Sequence, residues 1–140
     1  MALSWKDTLQ KALMEKFGEK KGKSLVGKYE KIFSLNYQTD YLPNSAIDDI
    51  TFIEKLSIDN PLEINLYQNK INLRLKLYQL GQPTALSDIL PMLENLGLRT
   101  LSEHPYEITL NKTTIWISDF SIELEKNTLI QLETIKEIFQ

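Results

Sequence analysis

Three observations predict an α+β fold for this chain of 140 residues. Apolar residues recur at helical spacing through about residue 56, and they alternate with polar residues from Leu62 onward. Asp59-Asn60-Pro61, strong turn chemistry, stands where the period changes. The expected organisation is a helical segment over residues 1–60 followed by an α+β unit with an antiparallel sheet over residues 61–140.

The first helix is expected from about residue 5 to 17. Ser4 with Asp7 three residues on resembles a capping box, and Trp5, Leu9, Leu13 and Phe17 form one stripe. Gly18 and Gly22 then interrupt, after which Leu25, Val26, Tyr29, Ile32 and Phe33 recover the helical spacing. Asn36 to Pro43 reads as a polar and aromatic connection. Ser45, with Asp48 behind it, caps a third helical segment carrying Ile47, Ile50 and Ile53.

Beyond the turn, Leu62, Ile64 and Leu66 mark one half-buried strand, and Leu73, Leu75 and Leu77 mark a second, joined across Asn69-Lys70. Arg74, Lys76 and Tyr78 fall on the second strand's other face. Gly81-Gln82-Pro83 ends that strand, and Ser87-Asp88 caps a helix with Ile89, Met92, Leu93 and Leu96. Gly97 before Leu98 fits a left-handed helix stop. Two more strands, Arg99 to Leu110 and Thr113 to about Glu123, are joined by Asn111-Lys112, with Ile115, Ile117 and Phe120 facing the core. Leu129, Leu132, Ile135 and Phe139 form a last helical stripe, still running at Gln140, the ending expected of a piece cut from a longer chain.

Composition narrows the chemistry. With 42% apolar and 25% charged residues the chain is an ordinary globular one, and a core of this size buries roughly 70% of the unfolded surface. No cysteine is present, so disulfides, thiolate nucleophiles and sulfur-based zinc sites are excluded, and a cytoplasmic setting is expected. No apolar run suits a membrane span. Residues 1–33 carry eight Lys and four acids, a balance of +4; the net charge of −3 therefore leaves −7 for the rest. These lysines are scattered among acids without Arg, which reads as a solvated helix face rather than a nucleic-acid surface.

Catalytic constellations are missing. His104 has no second His or Cys to join, and the five glycines form neither G-x-G-x-x-G nor a phosphate loop. Asp48-Asp49, and Asp119 with Glu123, are the nearest to paired carboxylates and read as solvated, with Asp119 ending its strand.

The order strand, helix, strand, strand, helix from Leu73 supplies five of the six elements of a ferredoxin-like unit. Pro83, Leu86, Asp88-Ile89-Leu90, Leu93 and Leu96-Gly97-Leu98 resemble the loop and helix of an ACT domain, with Thr84 at the position where ACT sequences carry glycine. A wider resemblance is to the large bacterial NAD-specific glutamate dehydrogenases. It rests on Leu73 to Tyr78, Leu86 to Arg99, Glu103 to Ile108 and Trp116 to Phe120, and less distinctively on Phe17-Gly18-Glu19 and Asp48-Asp49-Ile50. The resemblance implies a non-catalytic regulatory or assembly segment from the N-terminal half of such an enzyme. The parent would interconvert glutamate and 2-oxoglutarate with NAD, while this stretch holds no catalytic, cofactor-binding or metal-binding residue. The implied partners are the parent's other domains or subunits and an amino-acid effector, with no nucleic acid and no membrane. A stand-alone ferredoxin-like interaction or effector-binding module is the alternative.

The candidate effector loop is Gly81, Pro83, Thr84, Leu86 and Ser87, where unpaired N–H groups at a helix start attract a carboxylate and Ser87 adds a hydroxyl donor. Asp88 opposes an anion in that same turn, and Thr84 narrows the approach that glycine would allow.

Overall fold

The computed structural model describes residues 4–68, 73–82, 86–95 and 97–124. Within them the chain forms three layers: four helices, a four-stranded sheet and one further helix. The helices of the first layer are α1 (Trp5–Phe17), α2 (Glu19–Tyr29), α3 (Leu35–Asp40) and α4 (Pro43–Ile53). The strands are β1 (Leu62–Gln68), β2 (Leu73–Leu80), β3 (Leu98–Leu110) and β4 (Thr113–Leu124), with α5 (Leu86–Asn95) between β2 and β3.

Ser4 caps α1, its Oγ accepting from the Asp7 N–H at 3.1 Å. Gly18, at φ 85°, separates α1 from α2, a backbone angle that side chains disfavour. Gly22 does not interrupt anything. It lies inside α2, buried against α1, where a β-carbon would come within 2.8 Å of Met14 Cα and 3.0 Å of the Leu13 carbonyl oxygen. The glycine is there for close backbone approach. The connection expected over Asn36 to Pro43 contains α3, capped by Ser34 Oγ on the Tyr37 N–H at 3.2 Å. α4 begins at Pro43 rather than near Ser45, because proline's fixed φ suits the first helical position.

The sheet order is β1-β2-β4-β3, and every neighbouring pair is antiparallel. β2 and β3, joined through α5, therefore run parallel with β4 inserted between them, as the ferredoxin-like reading requires. β1 pairs along β2 and occupies the edge beside it. Asn111 and Lys112, at φ 51° and 65°, make the tight turn from β3 to β4. α5 starts at Leu86, so Ser87 lies inside its first turn rather than at the cap. Gly97, at φ 78°, donates its N–H to the Glu94 carbonyl, the left-handed stop expected there. The last expected helix, the Asn69-Lys70 turn and Leu96 fall outside the described residues.

Both faces of the sheet are covered. Ile64, Leu75, Leu77, Phe120 and Ile122 pack with Leu93 of α5 on one face. Tyr78, Ile108, Ile115 and Ile117 share the opposite face with Leu9, Leu13, Tyr29, Tyr37, Ile47 and Ile50 of the helical layer. This corrects the half-buried reading of β2, in which Leu75, Lys76, Leu77 and Tyr78 are four consecutive buried residues. It also divides the residues expected to share one core: Ile115 and Ile117 face the helices, whereas Phe120 faces α5. A register shift between Thr100 and Ser102, where Leu101 is the extra residue, exchanges the faces of β3. Before it Leu98 packs toward α5; after it Tyr106 and Ile108 point to the helical layer.

The contrast between Gly22 and Gly27 supplies a test of helix packing. Gly27 is exposed on the same helix, and a β-carbon there would meet nothing within 4 Å. Gly27→Ala should stabilise by about 0.5–1 kcal/mol through helix propensity. Gly22→Ala should destabilise by about 1–3 kcal/mol through overpacking. Thermal or urea unfolding reads both, and two stabilising changes would show that α1 and α2 do not touch at Gly22.

Candidate functional site

Several polar side chains of the helix-facing side of the sheet, Lys76 and Asp119 among them, are buried beneath the helices. β2 projects Arg74, Lys76 and Tyr78 toward the helical layer, β1 contributes Tyr67, and β4 contributes Asp119, which sits opposite Lys76 in register. α4 supplies Asp49. Adjacent helix positions diverge by about 100°, so Asp48 is exposed while Asp49 is fully buried.

Two clusters result. In the first, Lys76 Nζ donates to both Asp49 oxygens at 3.0 Å, Tyr78 Oη donates to Asp49 Oδ1 at 2.6 Å, and Tyr37 Oη donates to Oδ2. In the second, Asp119 receives Arg74 Nε at 3.2 Å, Arg74 Nη2 at 3.0 Å, Tyr67 Oη at 3.4 Å and the Tyr41 hydroxyl. The ring of Tyr41 joins the clusters, lying 4.0 Å below Lys76 Nζ at its centroid. Two buried carboxylates and two cations thus balance, and each carboxylate is surrounded by donors.

Aromatic packing frames these charges. Phe33 stacks on Tyr37 at 4.5 Å, Tyr37 lies 4.7 Å from Tyr41, and Tyr41 meets Tyr106 edge-on at 5.4 Å. Trp5 Nε1 donates to the Tyr41 carbonyl at 2.8 Å, which ties the start of α1 to the same centre.

Burial dominates the proton affinities. It raises the Asp49 pKa against the opposing pull of Lys76 and the Tyr37 and Tyr78 hydroxyls. Burial, then the Asp49 charge, pushes Tyr37 and Tyr78 well above the ordinary 10.0. Burial and then Asp119 raise Tyr41 and Tyr67, and burial with a hydrogen bond to Asp40 takes Tyr106 to about 12.

At the edge of the second cluster a cleft of about 330 Å³ opens, walled by Asp40, Tyr67, Arg74, His104 and Tyr106. His104 is exposed on β3, opposite Asp119 in register.

The residues expected as an effector loop lie elsewhere. Gly81 is exposed at the opposite end of β2 from Arg74, Leu86 and Ser87 belong to the first turn of α5, and Pro83 and Thr84 fall outside the described residues. The expectation of solvated carboxylates is overturned for Asp49 and Asp119, both 0% exposed, and Asp119 stands within β4 rather than at its end. The covering helical layer is the reason: it converts the polar face of β2 into an interior. One signal was available in the sequence, since Tyr29, Phe33, Tyr37 and Tyr41 recur every four residues straight through the expected connection.

Comparison with known proteins agrees with the architecture. Residues 61–135 match the family model described as glutamate dehydrogenase, ACT3 domain, and residues 12–56 match glutamate dehydrogenase, helical motif 2. An NAD-specific glutamate dehydrogenase from Halomonas elongata is 34% identical over 143 aligned residues, covering 99% of this chain and 9% of the relative. The enzyme of that name from Pseudomonas aeruginosa is 35% identical, covering 98% of this chain and 9% of the relative. The one from Mycobacterium tuberculosis is 32% identical over 96 residues, 67% of this chain and 6% of the relative.

Alkaline unfolding tests the buried tyrosines. Their folded pKa values are raised, so their stabilising contribution is complete below about pH 10 and is lost as pH rises above it, because only the unfolded chain ionises there. Tyr37 and Tyr78 should each remove about 1.4 kcal/mol of stability per pH unit above 10. Urea unfolding between about pH 8 and 11, followed by tyrosinate absorbance, should show ionisation coincident with unfolding. Free titration of all six tyrosines near pH 10 in the folded chain would contradict the network.

Proposed function

The chain belongs to the glutamate dehydrogenase ACT3 domain family, and we propose that it serves as a non-catalytic regulatory and assembly segment of a large NAD-dependent glutamate dehydrogenase. The parent would interconvert glutamate and 2-oxoglutarate in the cytoplasm with NAD bound by other domains. This chain spans about a tenth of the length of the relatives it matches.

The supporting observation is where the charged groups are spent. Asp49 and Lys76 pair α4 with the sheet, and Arg74 and Asp119 pair two neighbouring strands beneath the Tyr41 hydroxyl, so the role of these charges is internal cohesion rather than proton transfer to a substrate. Among the described residues no group of three or more His, Cys, Asp or Glu is placed to hold a metal. Meanwhile Leu35 and Leu42, at either end of α3, are 79% and 74% exposed, and Ile58 is 93% exposed. Large apolar side chains held outward on a rigid layer suit contact with the parent's other domains or subunits. No helix among the described residues is long and apolar enough to cross a membrane. The sheet's aromatic Tyr78 is buried beneath the helices, which leaves it out of any base-stacking role and argues against a nucleic-acid partner.

The test uses the complete dehydrogenase carrying Leu35→Ser and Leu42→Ser. Sedimentation should show weakened assembly, while the isolated chain with the same changes keeps its melting temperature. Unaltered assembly together with unaltered kinetics would overturn the assembly role, and NAD reduction by the isolated wild-type chain would overturn its non-catalytic character.

A further inference from the structure

The cleft beside Asp119 keeps unspent polar capacity of both signs. Arg74 is 20% exposed and is fixed by Asp119 through Nε and Nη2. Asp119 engages two of the five N–H groups of the guanidinium, so donor capacity remains on an arginine whose orientation is already set. Asp119 itself is saturated by four donors, so it does not compete for a ligand's cation. Asp40 is the opposite case. It is exposed, and only its Oδ2 accepts from Tyr106, leaving Oδ1 free among the described residues. His104 and the Tyr106 ring line the wall between them, and a volume of about 330 Å³ lies at the small end of ligand sites.

We infer that this cleft binds a small zwitterion, its carboxylate on the outward N–H groups of Arg74 and its ammonium on Asp40. A simple anion gains Arg74 but meets the Asp40 charge, and a simple cation gains Asp40 but meets Arg74. A molecule carrying both groups meets two attractions and no repulsion. The ordering cost is small because Asp119 already holds Arg74 in place. The site lies on the helix-facing side of the sheet, away from Gly81 and the start of α5, and it adds ligand binding to the assembly role without depending on it.

The experiment titrates the isotopically labelled chain with glycine, γ-aminobutyrate, acetate and methylammonium, followed by NMR. At least one of the two zwitterions should shift His104, Tyr106 and the Arg74 Nε–H, with affinity about tenfold above acetate and methylammonium. Asp40→Asn should bring that zwitterion down to the affinity of acetate, and Arg74→Lys should weaken zwitterion and acetate alike. Asp40 is exposed, so Asp40→Asn remains decisive even if Arg74→Lys fails to fold. Equal affinities for zwitterion and acetate in the wild-type chain, shifts centred on Gly81 and Ser87, or no shifts at roughly 50 mM probe would each overturn the inference. The sedimentation test of assembly is unaffected by any of these results.

Discussion

The ion pair between Asp49 and Lys76 constrains the rest of this molecule. One partner comes from α4 and the other from the centre of β2, and both are almost wholly removed from water. A charge in that position tolerates no arrangement in which its partner is displaced, since an unpaired buried charge costs several kcal/mol. The pair therefore fixes how the helices sit on the sheet. The tyrosines follow from the same demand: Tyr37 and Tyr78 supply the donors that Lys76 alone cannot, and Tyr41 supplies both a hydroxyl for Asp119 and a ring face for the ammonium. Apolar burial drives the two layers together, as the shared core of Leu13, Tyr29, Ile50, Tyr78 and Ile117 indicates, while the polar network selects one docking geometry among many of similar apolar area.

The sheet contributes the second constraint. Its order places β1 along the flank of β2, the edge where a sixth ferredoxin-like element would otherwise pair, so the backbone groups of β2 are paired on both sides. The edge on this side is thereby moved from β2 to β1. The other edge is β3, and it carries Pro105 and the register shift at Leu101, both of which discourage strand addition. The shift also has a local consequence: without the extra residue, His104 and Tyr106 would face α5, and the cleft would lose a wall.

Much of this architecture is legible from residue patterns. The change from helical to alternating spacing at Asp59-Asn60-Pro61, the Ser4 cap, the Gly97 stop and the Asn111-Lys112 turn are local signals, and local physics decides them. What resists such reading is what depends on the third dimension. Lys76, flanked by leucines, looks like the solvent side of a strand, and nothing in its neighbourhood announces Asp49, twenty-seven positions earlier. Gly22 looks like a helix breaker because the need for close backbone approach comes from α1 rather than from α2 itself. Ser45 looks like a cap but lies inside the first turn of α4, because the preference of Pro43 for the first helical position outweighs it. The polar network combines side chains from α3, α4, β1, β2 and β4 with Tyr41, and no spacing rule brings those together. Its one trace in the sequence is the fourfold recurrence of aromatics from Tyr29 to Tyr41.

The central claim is that Asp49 and Lys76 act as one unit joining the two layers. A double-mutant cycle with Asp49→Asn and Lys76→Met, read by urea unfolding of the complete chain, tests it most directly. Each single change should cost about 3–5 kcal/mol by stranding its partner, and the double change should cost far less than the sum, because Asn can still accept from Tyr37 and Tyr78. Strictly additive losses, or single losses within about 0.5 kcal/mol of zero, would show that the layers are held by apolar contact alone.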